Sequence, residues 1–382
     1  MRFTDCIDIT GESCKTFDGN KKYISTGAVD VDHIVQSQIE LVSYDSKPSR
    51  ANLMTDDKSI LFAKMQGTKK ILLINEDLKE NVYSTGFFSV APKNNILNKE
   101  CLYHLLGSKA FLNQKDKYCS GATQKAITLD GLNKIEINIP KLEEQNQIAK
   151  RLDVIKRILD SNDLALKKYD DLIKARFTEL FGTVKDNPYH FPTATLKEVC
   201  HKITDGKHGG CEQEADSGYY YVGAREIYDG VIHYDTAPQI TYADFAKDYR
   251  RCNIEQGDMV IVNTGATIGK SAIASSPLTE RTLLQKSVAL IKVKTDVISA
   301  KFLRFCYMAN PSMYLVESAS AQPNLLLSKM NATAIYLPPI ELQEQFVAFV
   351  EQTDKSKLAV QQSLEKTQLL FDSLMQEYFG EN

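Results

Sequence analysis

Two stretches of the chain, 141–181 and 340–379, contain neither Pro nor Gly, and both carry apolar residues at alternating intervals of three and four. In the first the recurring positions hold Ile148, Leu152, Ile155, Leu159, Asn162, Leu166, Tyr169, Ile173, Arg176 and Leu180. The positions 198 residues further on hold Phe346, Val350, Thr353, Lys357, Val360, Leu364, Thr367, Phe371, Leu374 and Tyr378. Eight of ten are apolar in the first set and seven of ten in the second, counting Tyr. A 3-4 spacing kept up for about five heptads predicts a coiled-coil seam on each of two long helices. At 1.5 Å per residue each would be roughly 55–60 Å long. Pro140 and Pro338 precede acidic first turns, and Gly182 and Gly380 follow, as start and stop signals should. Asn162 and Lys357 break the apolar seam. Such polar positions either fix register or lie partly in solvent.

The remaining segments have a different rhythm. Short β-type runs such as Ile71–Ile74, Val260–Val262 and Ser287–Val293 are punctuated by Gly, Asp and Asn, and a helical piece follows late in each half, near 99–117 and 299–316. The expected fold class is therefore α+β: two globular domains joined by two long antiparallel coiled-coil helices. The segments are 1–139, a central helix 140–182, 183–337 and a C-terminal helix 338–382. The Pro- and Gly-containing link 182–192 is the clearest boundary.

The two halves are also copies of each other. At an offset of 198, Gln124 falls on Gln322, Leu129 on Leu327, Asn133 on Asn331, Ile137 on Ile335 and Pro140 on Pro338. Tyr23-Ile24 falls on Tyr221-Val222 and Ile34 on Ile232; with small gaps, Asp57–Leu61 resembles Asp258–Val262, and Cys6 and Thr10 match Cys200 and Thr204. Several blocks in the same order imply an internal duplication, with a pseudo-twofold repeat as the expected architecture.

Composition narrows the class without identifying a chemistry. The chain has 382 residues, 43% hydrophobic and 25% charged, which suits soluble domains with their own cores. It has no apolar run long enough for a membrane span, and its start lacks the apolar stretch of a signal peptide. Eight scattered cysteines without a C-x-x-C pair favour reduced thiols and a cytoplasmic protein. The net charge of −3 does not advertise a nucleic-acid partner, but phosphate contacts need only a local basic face.

Catalytic motifs are approached and missed. Gly265–Ser271 looks like a phosphate-binding P-loop, but the position of its first Gly holds Thr264, so the loop is one residue short. Asp186–Tyr189 and Leu337–Ile340 each give half of an amino-methyltransferase motif. His201, His208 and Cys211 lie close together beside a Gly-Gly pair, where turn residues are expected rather than a zinc site. No metal site and no catalytic residue is assigned.

Side chains suited to phosphates and base edges gather in two Gly-containing loops at related positions. One holds Lys64, Gln66, Thr68, Lys69 and Lys70; the other holds Asn263, Thr264, Thr267 and Lys270. Arg50, Arg225, Arg250, Arg251, Gln285 and Lys286 complete the candidate DNA-binding set.

With these residues in view, the chain resembles the specificity subunits of type I restriction–modification systems. The phrases I-P-K-L-E-E-Q at 139–145 and L-P-P-I-E-L-Q-E-Q-F at 337–346, each leading into a long helix, are similar to that family's repeated helical regions. Tyr221-Val222-Gly223 and Gly257–Ile261, ahead of a Gly-Lys loop, are similar to its target-recognition domains. The resemblance implies that each head reads one half of a split, asymmetric double-stranded DNA target, while the paired helices act as a ruler. It implies two modification (methyltransferase) subunits as partners, and restriction subunits as well. S-adenosylmethionine, ATP and Mg would be held by those partners, and no cofactor by this chain. The first head has no counterpart to 183–193, so its edge would be completed by a partner or by the C-terminal tail. The repeat and seam equally suit a non-DNA scaffold with duplicated β-rich modules on a coiled coil, and a detached fragment of a fused restriction–methylation enzyme is a third possibility.

Overall fold

In the computed structural model, which describes residues 1–93, 95–183, 187–309 and 325–380, packing divides the chain into two units. The first contains Met1–Ala165 and the chain from Val360; the second is Leu166–Ala359. Both long helices form, Leu142–Phe181 and Ile340–Phe379, with Glu143, Glu144 and Glu341 in their first turns, where a carboxylate complements the helix dipole. Each helix gives one half to each unit.

The first unit is built on an antiparallel sheet in the order Ile7–Ile9, Phe87–Pro92, Ile60–Ala63, Ile71–Leu73. Beside it, Lys21–Ile24 and Val82–Ser84 pair in parallel, and Val29–Asp30 with His33–Ile34 makes a small hairpin. The second unit repeats the four-stranded sheet, the parallel pair and the hairpin, although the pair belongs to a five-stranded sheet in the first unit and stands as a two-stranded sheet in the second. Its sheet runs Cys200–Asp205, Val288–Val293, Met259–Val262, Ser271–Ile273. Tyr220–Val222 pairs in parallel with Thr282–Leu284, and Ile227–Tyr228 with Val231–Ile232 makes the hairpin. Central strands are buried along their whole length, Ile60–Ala63 and Met259–Val262 alike, which is why they read as unbroken apolar runs rather than alternating ones. The expected helical pieces are Lys99–Leu106, Lys109–Lys117 and Ala300–Ala309. Residues 310–316, Gln322 and Asp186 lie outside the described residues.

Within each unit the helix halves pair antiparallel. In the first, Arg151 donates to Tyr378 Oη and Asn162 Nδ2 to Ser363 Oγ, both at 3.4 Å, so numbers rise along one helix as they fall along the other. In the second, the Phe177 and Phe181 rings each sit 5.5 Å from Phe346, and Lys357 pairs with Asp170 at 2.6 Å. All twenty seam positions are buried or half-buried. Ile148, Leu152, Phe346 and Val350 are deeply buried, where the seam merges with a domain core. Asn162 and Lys357 therefore both find a partner on the opposite helix, as register-setting residues would.

The repeated Gln of the helix-start phrase fastens each helix to its head. Gln145 is fully buried; its Oε1 accepts from Asn98 N–H at 2.9 Å, and its Nε2 donates to Ile96 O at 2.9 Å and Pro140 O at 3.0 Å. Gln343, also fully buried, accepts from Ser299 N–H at 3.0 Å and donates to Val297 O at 3.2 Å and Pro338 O at 2.9 Å.

The head edges differ. In the second unit Thr193–Thr195 pairs with Ala334–Tyr336. In the first, the corresponding ladder is the isolated bridge Arg2–Glu136, with bonds from Ile137 N–H to Met1 O at 2.8 Å, from the Met1 amine to Ile137 O at 3.0 Å and from Phe3 N–H to Ile135 O at 2.9 Å. The C-terminal segment does pack there: Met375 and Phe379 share a core with Phe3, Leu105 and Ile148.

Candidate nucleic-acid interface

The 64–70 loop of the first unit joins the antiparallel strands Ile60–Ala63 and Ile71–Leu73, and its own polar groups hold its shape. Thr68 Oγ1 donates to Met65 O at 2.6 Å, Gln66 Nε2 to Asp116 O at 3.1 Å, and Gly67 adopts a φ of 71°. Beneath it lies Lys115, a buried lysine whose ammonium donates to Met65 O at 2.8 Å and Thr68 O at 2.9 Å and stands 3.1 Å from the Asp116 carboxylate. A charge removed from water needs such partners, so Lys115 serves as the loop's internal anchor.

The loop's own lysines are less free than their sequence context suggests. Lys64 Nζ donates to Thr85 O at 2.8 Å and lies 4.4 Å from the Phe88 ring centre; burial pushes its pKa below the ordinary lysine range. Lys70 Nζ donates to Thr26 O at 2.8 Å. Arg50 is exposed, and its carbonyl takes the Thr85 N–H at 2.9 Å. Arg50, Lys64 and Lys70 thus surround the Thr26 and Thr85 turns. Lys69 goes elsewhere, into a cleft with Asp32, Tyr103, His104 and Lys156, where packing pushes its pKa down despite the nearby Asp32.

That cleft has its own polar network. Lys156, on the first long helix, pairs with Asp32 of the hairpin and donates to Tyr103 Oη at 2.6 Å; Tyr103 in turn donates to Asp32 at 3.0 Å. Burial alone would raise the Asp32 pKa, but the bonds from Lys156 and Tyr103 outweigh it and hold the carboxyl below its ordinary value. His104 is buried, with Nε2 2.8 Å from Asp153 Oδ1; burial lowers its pKa, and Asp153 only partly opposes that.

In the second unit the 263–270 loop leaves Met259–Val262 and returns as Ser271–Ile273. A strand follows Lys270 where a P-loop would open a helix, so the Gly265–Ser271 phrase has the wrong context for nucleotide phosphates. Asn263 is buried: its N–H donates to Ser287 O at 3.0 Å, its carbonyl accepts from Leu325 at 2.7 Å and its Oδ1 accepts from Thr264 Oγ1 at 3.1 Å. Thr264 and Thr267 are half-buried, and Lys270 is exposed.

Backbone bonds draw other segments to the same edge. Gln285 N–H donates to Val222 O at 2.8 Å, Lys207 N–H to Leu284 O at 2.7 Å and Lys286 N–H to Lys207 O at 2.9 Å. Arg225 and Lys286 are exposed there. Gly206 makes the approach possible, since a Cβ at that position would lie 2.2 Å from Leu284 O. Arg250 is exposed at the end of the helix Tyr242–Cys252, whereas Arg251 is committed, pairing with the Asp205 carboxylate and donating to Asp205 O at 3.1 Å. Burial pushes Asp205 up, but Arg251 and His208 more than compensate and hold its carboxyl low. His208 is thereby engaged at 3.0 Å, and among the described residues no three His, Cys, Asp or Glu side chains form a metal-holding group.

The structure therefore brings Arg50, Lys64 and Lys70 together in one head, and Arg225, Asn263, Gln285 and Lys286 in the other. Sequence reasoning missed Lys115 and Gly206. The turn phrase D-G-K-H-G at 205–209 was a signal for Gly206. Lys115 sits in N-Q-K-D-K, which reads as solvated helix. Among the described residues no helix is long and apolar enough to cross a membrane.

The family model of the type I restriction modification DNA specificity domain matches residues 7–168 and 189–369. The specificity subunit of the type I restriction enzyme EcoBI of Escherichia coli is 23% identical over 316 residues, covering 74% of this chain and 65% of that protein. The HindI specificity subunit of Haemophilus influenzae is 29% identical over 168 residues, covering 41% of this chain and 35% of that one. The matched region thus spans less than two thirds of either relative. Among solved structures, the type I restriction-modification S subunit from M. genitalium superposes with a TM-score of 0.59 at 17% identity, covering 100% of this chain and 96% of that one. A chain from a study of complex assembly and conformational transition in the type I R-M system gives 0.62 at 20% identity, covering 99% and 96%. Both share the fold.

Proposed function

The chain belongs to the family of the type I restriction modification DNA specificity domain, carrying two copies of it, and from that premise we propose that it is the DNA-reading subunit of such a system. Each head reads one half of a bipartite double-stranded target, and the paired helices set the spacing between the halves. The observation that carries this reading is the duplication itself: one strand plan built twice, with unlike side chains on the edge loops. A scaffold for other proteins would have no need of unlike readers on a repeated frame. Phosphate contacts from Arg50, Lys70, Arg225, Lys270 and Lys286 would position the duplex, and groove contacts would select its sequence.

The chain itself supplies recognition, without chemistry of its own, and acts in the cytoplasm. Two modification subunits dock on it and carry S-adenosylmethionine for adenine methylation; restriction subunits with ATP and Mg can join them. Exposed apolar side chains on the long helices support such docking, among them Val154, Ile158 and Leu164 on one and Leu369, 71% exposed, on the other. Single-molecule sequencing of a host expressing the chain with its modification subunit tests the reading. Adenine methylation at one bipartite motif is expected; random or absent methylation overturns it.

A further inference from the structure

We propose that Gln285 is the residue through which the second head recognises an adenine, and that Gly223 holds it ready to do so. The inference rests on the DNA-reading function above and takes it to one residue and one base. The parallel strands Tyr220–Val222 and Thr282–Leu284 end side by side, and the residues that follow them are Gly223 and Gln285. The Gln285 backbone is tied to Val222 O at 2.8 Å, and its Nε2 donates to Tyr221 O at 3.3 Å. Its carboxamide lies so close over Gly223 that a Cβ there would stand 2.5 Å from Oε1 and 2.6 Å from Cδ. The side chain is half-buried and oriented before any ligand arrives, so less conformational freedom is lost on binding.

One amide hydrogen is used by Tyr221. That leaves the second N–H and Oε1, which takes no hydrogen bond from any of the described residues. A coplanar donor and acceptor on one carboxamide match N7 and N6 of adenine in the major groove, the bidentate pairing typical of Gln. The first head makes the comparison informative. In its equivalent parallel strands Val82 and Tyr83 face Tyr23 and Ile24 as Leu283 and Leu284 face Tyr221 and Val222, so Ser25 and Ser84 stand where Gly223 and Gln285 do, and their hydroxyls cannot form that pair. The frame is duplicated and the reader at its end is not, which is what two different half-sites require. Arg225 and Lys286, both exposed beside Gln285, are suited to the flanking phosphates.

The methylome of the wild-type chain with its modification subunit first defines the motif. A wild type that directs no bipartite methylation overturns the DNA-reading function on which the proposal stands. Given a motif, the purified complex is titrated against duplexes carrying every single base-pair replacement in both half-sites. The wild type should lose about 5- to 150-fold at one A·T pair, the range for one bidentate contact. Gln285→Ala should no longer distinguish that pair while keeping its discrimination elsewhere. Gln285→Glu should move the preference there toward cytosine, whose N4 amine a carboxylate accepts. Gly223→Ala, whose Cβ displaces the carboxamide without changing it, should relax the same position. An unchanged profile in these variants, or a loss spread evenly over all positions, overturns the assignment and leaves the DNA-reading function intact.

Discussion

Gln145 Oε1 accepts the backbone N–H of Asn98 at 2.9 Å, and Asn98 is the N-cap of the helix Lys99–Leu106, its own Oδ1 accepting from Cys101 N–H at 2.7 Å. One side chain thereby couples the start of the long helix to the start of the helix it packs on. Gln343 does the same through Ser299. Replacing either Gln with Ala leaves two largely sheltered carbonyls and an N–H without that partner. A loss of roughly 1–3 kcal/mol is expected for each, in the unit that contains the residue. Urea unfolding followed by hydrogen exchange of the two units checks both size and location. Loss of protection in the other unit would count against the assignment.

His104 gives the first unit an acid-sensitive component. Its pKa is depressed in the folded chain, so the unfolded chain binds the proton more readily below the ordinary His value of about 6.5. Stability contributed by neutral His104 is full above that pH and is lost as pH falls toward the folded value. The carboxyl of Asp32, also depressed, acts only below its ordinary 3.8, a separate window. Phe305 holds the equivalent place in the second unit, on the helix Ala300–Ala309. His104→Phe should therefore flatten the melting temperature of the first unit between about pH 5 and 7. A slope equal to wild type would remove His104 as its source.

Arg50, Arg225, Lys270 and Lys286 are exposed, and their side chains form no hydrogen bond or ion pair among the described residues. Alanine at each should lower the slope of log affinity against log salt by about 0.9 if the residue meets a phosphate. The contrast is Arg251→Ala, which breaks the Asp205 pair and should cost stability more than salt dependence. Binding isotherms at three or four salt concentrations separate the two behaviours.

If the helices set the spacing, inserting seven residues into each near Asn162 and Ser363 keeps the seam in phase and lengthens the ruler. The two half-sites should keep their letters while the gap between them grows. Changed letters in the methylome would refute the spacing role.

The helices and the duplication were legible because both are written in periodicity, and periodicity survives without coordinates. The repeated Gln was legible as a phrase, although its three bonds were not. The hydrogen bonds of Lys64 and Lys70 could not be read for a physical reason: their acceptors are carbonyls of Thr85 and Thr26, which the sheet brings near but the sequence holds far apart. Lys115 was missed because a buried lysine differs from a solvated one only by what lies above it. The sequence reading drew four consecutive segments, whereas packing assigns the two ends of the chain to one unit, since each half-helix joins the head that its seam partner touches. That Phe3 and the tail residue Phe379 share one core leaves no trace in local pattern.

That shared core has a consequence for synthesis. The second unit is one continuous stretch, Leu166–Ala359, and every residue of its core has emerged once that stretch is made. The first unit closes over Met375 and Phe379 as well as Phe3. Translation runs at roughly 5–20 residues per second and domains generally fold as units, so the head translated first waits through more than half of translation with part of its apolar surface uncovered. The first head to be made is the last to be finished, and a chain stopped short of its final helical turns would carry one sound reader and one open one.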